Sequence, residues 1–171
     1  MSFSINNFWE SFKSALLYAP VTIQLTAISF IVSLILGTII ATVRNYKIPI
    51  LSQFFTVFVT VYLGLPTMVA LLLYNLIFMT FYADVAAALH ISVPISEVNP
   101  IIIGYIVLIM GTTCQISESI RGAFKGIDKV QYEAGYSIGM GRFKTLTRII
   151  FPQMVPILLP GMQNSLIGLT T

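Results

Sequence analysis

Between Glu118 and Arg148 the chain gathers six basic and three acidic side chains, out of nine and six in all 171 residues. The acids are Glu118, Asp128 and Glu133. The bases are Arg121, Lys125, Lys129, Arg142, Lys144 and Arg148. Carboxylates and guanidinium groups at this density can form charge-assisted hydrogen bonds to a partner surface. They do not form a catalytic constellation. The chain has one His, His90, and one Cys, Cys114, far apart in sequence. A single Cys excludes an internal disulfide framework and a multi-Cys metal cluster, and Cys114 reads as a small buried hydrophobe. His90 reads as a solvated loop residue. The run GMGRFKT, Gly139 to Thr145, superficially suggests a phosphate loop. That pattern needs G-x-x-x-x-G-K-[ST] after a strand; here Lys144 follows Phe143 and the flanks are helical.

The segment has its own periodicity. Ile127, Val130, Ala134 and Ile138 fall at helical spacing and predict one narrow apolar face. Lys129, Glu133 and Ser137 follow one another at i, i+4 on another. Gly139 stands where a helix end favours a left-handed residue, and Gly141 follows. Phe143, Leu146, Ile149 and Ile150 then form a second stripe. The expectation is two short amphipathic helices joined by a glycine corner. One face rests on the protein and the other is left for water, anionic headgroups or a partner. Glu118 and Arg121, at i, i+3, read as a structural ion pair.

The rest of the chain must carry this segment, and it is greasy. It is 57% hydrophobic and 9% charged, whereas soluble domains carry roughly 25% charge. Residues 18–43 are uncharged and long enough to span a bilayer, and too long for a signal-peptide core. Arg44 to Lys47 closes that span in a basic turn. The uncharged run 48–83 is divided by Gly64 and Pro66, which predicts a helix from Ile50 to Leu63 entering from the membrane face and a main span from Leu65 to Tyr82. Asp84 to Asn99 reads as a loop with acids and no Lys or Arg. Pro100 to Ser117 is a further span, and from Ile149 the chain turns apolar again, interrupted by Pro152, Pro156 and Pro160. Phe8, Trp9 and Phe12 read as an interfacial anchor on an amphipathic N-terminal segment.

The basic turn at Arg44 and the 118–148 segment are two spans apart, so both lie on one side. Basic loops collect in the cytoplasm, which puts the N-terminus outside and the charged segment inside. The fold class is therefore all-α: a polytopic transmembrane bundle of about three complete spans plus a partial fourth, one domain over 1–171, with a cytoplasmic loop at about 118–150. Uncharged polar residues on the spans, Gln24, Thr67, Tyr74, Asn75, Gln115 and Asn164, are the candidates for a solute pathway, although each also suits a helix–helix hydrogen bond.

At Glu133-Ala134-Gly135, followed by Gly139 and then Ile149-Ile150-Phe151-Pro152, the chain resembles the E-A-A, G, I-x-L-P signature of membrane subunits of bacterial ATP-binding-cassette importers. The run Glu118-Ser119-Ile120-Arg121-Gly122, Gln131, Met140, Gln153, Leu159-Pro160 and Asn164 are similar to the polar amino acid permease branch. The match covers about residues 114–168. Gly135 stands where the signature has its second Ala and Phe151 where it has Leu. Leu63-Gly64-Leu65-Pro66 stands where the branch has R-G-T-P.

The resemblance implies an importer permease for a polar amino acid or similar small solute in a bacterial inner membrane, and not an enzyme. Its coupling loop, with Glu133, Ala134, Gly135, Gly139, Met140 and Arg142, would dock on a separate ATPase subunit that binds ATP and Mg; this chain would carry no cofactor. A second permease subunit and an extracellular solute-binding protein are the other implied partners, beside the lipid bilayer and without nucleic acid. The family has a fifth span, so the sequence is expected to be C-terminally truncated. A remnant that only binds the ATPase is one alternative. An ion-coupled carrier is another, and it is disfavoured because residues 18–43, 48–83 and 100–117 hold no ionisable relay of Asp, Glu, Lys, Arg or His.

Overall fold

The computed structural model describes residues 5–90 and 92–170, so residues 1–4, 91 and 171 of the expected domain lie outside the described residues. The described residues form the α-helices α1 (Ile5–Asn45), α2 (Leu51–Leu63), α3 (Thr67–Ala88), α4 (Ile101–Gly126), α5 (Lys129–Ser137), α6 (Arg142–Thr145) and α7 (Phe151–Gly168). Of the helices described, α1, α3 and α4 are long and apolar enough to cross a membrane, and α2 is a shorter apolar helix.

Helix α1 is one element of 41 residues, roughly 60 Å long at the α-helical rise. The N-terminal segment that carries Phe8, Trp9 and Phe12 forms the first turns of this same helix, with Trp9 and Phe12 centroids 5.8 Å apart. The seam of α1 follows an i, i+4 rhythm of small residues. Ser29, Ser33 and Ala41 are fully buried, and a Cβ at Gly37 would lie 2.8 Å from Ile116 Cγ2 and 3.0 Å from the Thr113 carbonyl oxygen. Small residues let two helix backbones approach, which is how helices associate where lipid offers no hydrophobic contrast. Ser33 Oγ donates across the seam to the Ile109 carbonyl at 2.9 Å.

Helix α4 is the hub, packing against α1, α2, α3 and α7. Helices α2 and α3 follow one another along it. Val59 and Tyr62 of α2 pack on Cys114, and Ala70 of α3 packs on Ile103 and Val107. The break between them is confined to Gly64–Pro66, where the missing proline N–H interrupts the helical ladder.

Three expected boundaries shift. Helix α3 runs to Ala88, past Tyr82, so the connection to α4 is shorter than 84–99 and contains a 3₁₀ turn, Ile95–Glu97. Helix α4 continues past Ser117 to Gly126, so Glu118, Arg121 and Lys125 lie on the spanning helix itself. The second amphipathic helix is not a separate piece either. Helix α6 passes through a π-helical turn, Leu146–Ile150, directly into α7, and one helical rod runs from Arg142 to Gly168.

Helix α7 returns antiparallel along α4. Ile150, Met154 and Leu158 join Ile116, Ile120 and Ala123 in the main core cluster, and a Cβ at Gly161 would lie 2.6 Å from Ser119 Oγ. Pro152, Pro156 and Pro160 fall four apart on an exposed face. Each removes the N–H that an α-helix would aim at the carbonyl four residues earlier, on Arg148, Pro152 and Pro156. The wider π turn sits just before the first of them.

Candidate functional site

Helix α5 begins at Asp128, whose Oδ1 accepts from the Val130 N–H at 3.0 Å in an N-cap. It ends in a complete Schellman motif. The Gly139 N–H donates to the Tyr136 carbonyl and the Met140 N–H to the Gly135 carbonyl, both at 3.0 Å, with Gly139 at φ 78°. The expected glycine corner is there, and its left-handed backbone is the reason for glycine. Gly141, by contrast, is extended at φ −68°.

Of the expected apolar face only Ile127, just before α5, is buried; within α5 another side packs. Val130 and Ile138 are 59% and 74% exposed, and Ala134 is exposed too. Gly135 is buried instead: a Cβ there would meet Thr145 Cγ2 at 2.6 Å and Thr145 Oγ1 at 2.8 Å. Gln131 and Tyr132 flank it, half-buried, and Gln153 Nε2 donates to Gln131 Oε1 at 3.1 Å. The physical reason is closeness. A glycine lets α5 lie against the start of the α6–α7 rod, and apolar spacing on a nine-residue helix does not say which side that will be. Burial, with lesser contributions from the Tyr136 and Tyr46 hydroxyls, raises the Tyr132 phenol above its ordinary range.

The six expected coupling residues therefore divide. Glu133, Ala134, Gly139 and Arg142 are on the surface, Met140 is half-buried and Gly135 is internal. The Glu133 carboxylate has no hydrogen-bond or ion-pair partner among the described residues. The same segment exposes large apolar side chains missing from that set: Val130, Ile138, Tyr136 at 46% exposed and Phe143 at 76%. Helical spacing marked three of these positions, Val130, Ile138 and Phe143, as apolar, but assigned them to the inside. The arrangement is a compact helix–corner–helix unit whose exposed surface mixes large apolar side chains with Lys129, Arg142 and Lys144 and, among the described residues, with a Glu133 carboxylate that has no partner. It can bind a complementary groove and move as one body.

A second cluster ties this end together. The expected Glu118–Arg121 pair forms, with two hydrogen bonds between its heads. Arg44 joins it. Its Nη1 lies 3.1 Å from Glu118 Oε2 and 3.3 Å from Ser117 Oγ, and its Nε donates to Thr56 Oγ1 at 3.3 Å. Arg44 is only 7% exposed. It is an internal clasp of α1, α2 and α4, where its place in a basic turn suggested only a topological marker. It also puts the turn after α1 and the C-terminal end of α4 at one end of the bundle.

The six polar pathway residues are partly brought together. Thr67 and Gln115 line a small polar cavity of about 70 Å³ with Tyr62, Thr112 and Ser165. Tyr74 packs into the apolar clusters around Tyr62 and Ala70. Asn75 is half-buried, and Gln24 and Asn164 are exposed, all three outside that cavity.

Residues 13–171 match the family described as binding-protein-dependent transport system inner membrane component. The chain is 30% identical to the L-cystine transport system permease protein TcyL of Bacillus subtilis over 98% of its own length and 67% of that protein's. It is 30% identical to the probable amino-acid ABC transporter permease protein PatM of Vibrio harveyi, over 99% and 71%. Among solved structures, a crystal structure of an amino acid ABC transporter with histidines superposes with a TM-score of 0.80 at 22% identity, over 99% of this chain and 73% of that one; at that identity the likeness concerns the fold.

Proposed function

The chain belongs to the family of binding-protein-dependent transport system inner membrane components, and from that premise we propose that it is the membrane subunit of an ATP-driven importer for an amino acid or a similar small polar solute. The amino acid class is supported by what its relatives are named for, among them an L-cystine permease and a probable amino-acid permease. ATP and Mg belong to a partner ATPase subunit, and hydrolysis is that partner's chemistry. A second permease subunit and an extracellular solute-binding protein complete the assembly. The membrane is the bacterial cytoplasmic membrane, with the N-terminus outside and residues 127–150 inside, as the basic residues at that end of the bundle favour.

The observation that carries the reading is the helix–corner–helix unit. It exposes Val130, Tyr136, Ile138 and Phe143, and a Glu133 carboxylate with no partner among the described residues. Exposed apolar clusters of this kind mark contact surfaces. A partner cation facing Glu133 would supply a charge-assisted bond. The mechanism follows from the connectivity. Helix α6 continues into α7 through the π-helical turn without a break in the helix, and Gly135 holds α5 against it. A displacement of the docked surface therefore reaches α7, and through the Gly161–Ser119 contact, α4. The cavity bearing Thr67 and Gln115 is bounded by α2, α3, α4 and α7, so a shift of α7 alters its shape. That is the element of alternating access assigned to this chain.

The test is co-purification with the cognate ATPase subunit. Replacing Glu133→Lys is expected to abolish it while the permease still inserts. Undiminished co-purification of that variant would overturn the docking surface.

A further inference from the structure

A large basic cavity lies beside the Arg44 clasp, and none of residues 127–150 lines it. Its volume is about 740 Å³, and it is walled by the end of α1, the following turn, the start of α2 and the C-terminal part of α4. Four cations line it, Arg44, Lys47, Arg121 and Lys125, against one acid, Glu118. Glu118 is already shared by Arg44 and Arg121. Lys47 and Lys125 are exposed and, among the described residues, in no ion pair. The hydroxyls of Ser52 and Thr56 and the Gln53 amide add polar groups to the wall.

A second hollow adjoins it. A groove of about 620 Å³ runs along α2 between Phe54, Val57, Phe58 and Val61, and it shares Ile50 and Gln53 with the basic cavity. Its walls are almost wholly apolar. The junction is held by an unusual backbone. Ile50 has φ 67° and ψ −54°, and the Leu51 N–H donates to the Pro49 carbonyl at 2.7 Å. This is a γ-turn of the rare positive-φ kind, a strained place for a β-branched residue. It leaves the Ile50 side chain 82% exposed where the two hollows meet.

A basic cavity alone would take any small anion. An apolar groove alone would take any acyl chain or neighbouring helix. The two joined end to end fit a molecule with an anionic head and a long hydrocarbon tail. We propose that this end of the bundle binds an anionic phospholipid, its phosphate in the cavity among Arg44, Lys47 and Lys125, and one acyl chain in the groove along α2. Basic recesses between spanning helices at the membrane surface have the right depth for headgroups. Placing the lipid in the cytoplasmic leaflet rests on the orientation proposed above; the binding itself does not.

Native mass spectrometry of the detergent-purified chain tests it, after delipidation and re-exposure to dioleoyl phosphatidylglycerol and dioleoyl phosphatidylcholine at equal concentration. The glycerol lipid is expected to be retained over the choline lipid. Lys47→Ala with Lys125→Ala should weaken its retention roughly ten- to thirtyfold, the effect of two interfacial lysines. Lys47→Arg with Lys125→Arg should preserve it, and Lys129→Ala with Lys144→Ala, the same loss of charge outside the cavity, should leave it unchanged. Equal retention of the two lipids would overturn the proposal, as would equal losses in both alanine pairs. Displacement of the lipid by millimolar inorganic phosphate would assign the cavity to a soluble anion, and a lipid-free dimer would assign the groove to a second copy; either result also overturns it.

Discussion

Gly135 and Thr145 touch so closely that a β-carbon on the first would sit 2.6 Å from the γ-methyl of the second. This contact sets the angle between α5 and the long rod, and it leads to a prediction of sign. Gly135→Ala gains about 1 kcal/mol of helix propensity and loses roughly 1–3 kcal/mol to overpacking, so it should destabilise. In a Thr145→Ala background the clash is gone, the nearest remaining atom being the flexible Ile149 Cδ1 at 3.2 Å. There the same substitution should become neutral or stabilising. Cys114 is the chain's one cysteine and is fully buried. Its reaction with a thiol-specific fluorophore during heating reports the unfolding temperature of all four proteins in the cycle.

Gly139 should respond differently, because its cost is conformational. Its φ is 78° and a Cβ there meets nothing within 4 Å. Gly139→Ala is expected to cost about 1 kcal/mol and Gly139→Asn less, since Asn tolerates the left-handed region. Gly139→Val should cost more than either. Co-purification with the ATPase should fall in the same order; an order following side-chain volume alone, with Asn worse than Ala, would contradict the assignment.

The seam of α1 predicts a substitution that no repacking on the partner helix rescues. Gly37→Leu meets the Ile116 side chain at its first carbon, and also the backbone carbonyl of Thr113 at 3.0 Å. A backbone atom in a packed helix cannot give way. The loss should be about 3 kcal/mol, seen as early exposure of Cys114 on heating, and adding Ile116→Ala should recover little of it.

The Arg44 clasp predicts an asymmetry between its partners. Glu118→Ala leaves a guanidinium buried without its carboxylate, whereas Arg44→Met removes the buried charge and keeps the Glu118–Arg121 pair. Breaking a buried pair from one side is the costlier change. Because the Glu118 side chain is 37% exposed, water softens the loss, to roughly 1–3 kcal/mol. Arg44→Met should be milder. The thiol-labelling temperatures of the two variants check the order.

Much of the architecture was readable from charge. Uncharged runs located α1, α3 and α4, and the basic residues at Arg44 and beyond Glu118 correctly marked one end. What charge could not show was how the helices face each other. Ser29, Ser33, Gly37 and Ala41 stand at perfect i, i+4 spacing, a signal present in the sequence, but in an apolar span small residues carry no contrast against their neighbours. Arg44 gave no sign of burial, because its partners Ser117 and Glu118 are more than seventy positions away. In residues 127–150 helical spacing placed Ile127, Leu146, Ile149 and Ile150 inside, where they are, but also Val130, Ala134, Ile138 and Phe143, which are exposed, since Gly135, a residue without a side chain, decides which side of α5 lies down. The continuity of α6 with α7 was hidden by Pro152, which ordinarily announces a helix start.

The prolines of α7 carry a last consequence. Arg148, Pro152 and Pro156 form a column of oxygens stripped of their usual partners along the outer side of the rod. Hydrocarbon cannot solvate such a column. This flank is thus the part of the protein least at home among fatty tails, and wherever it is immersed, moisture or a neighbouring polypeptide must keep it company.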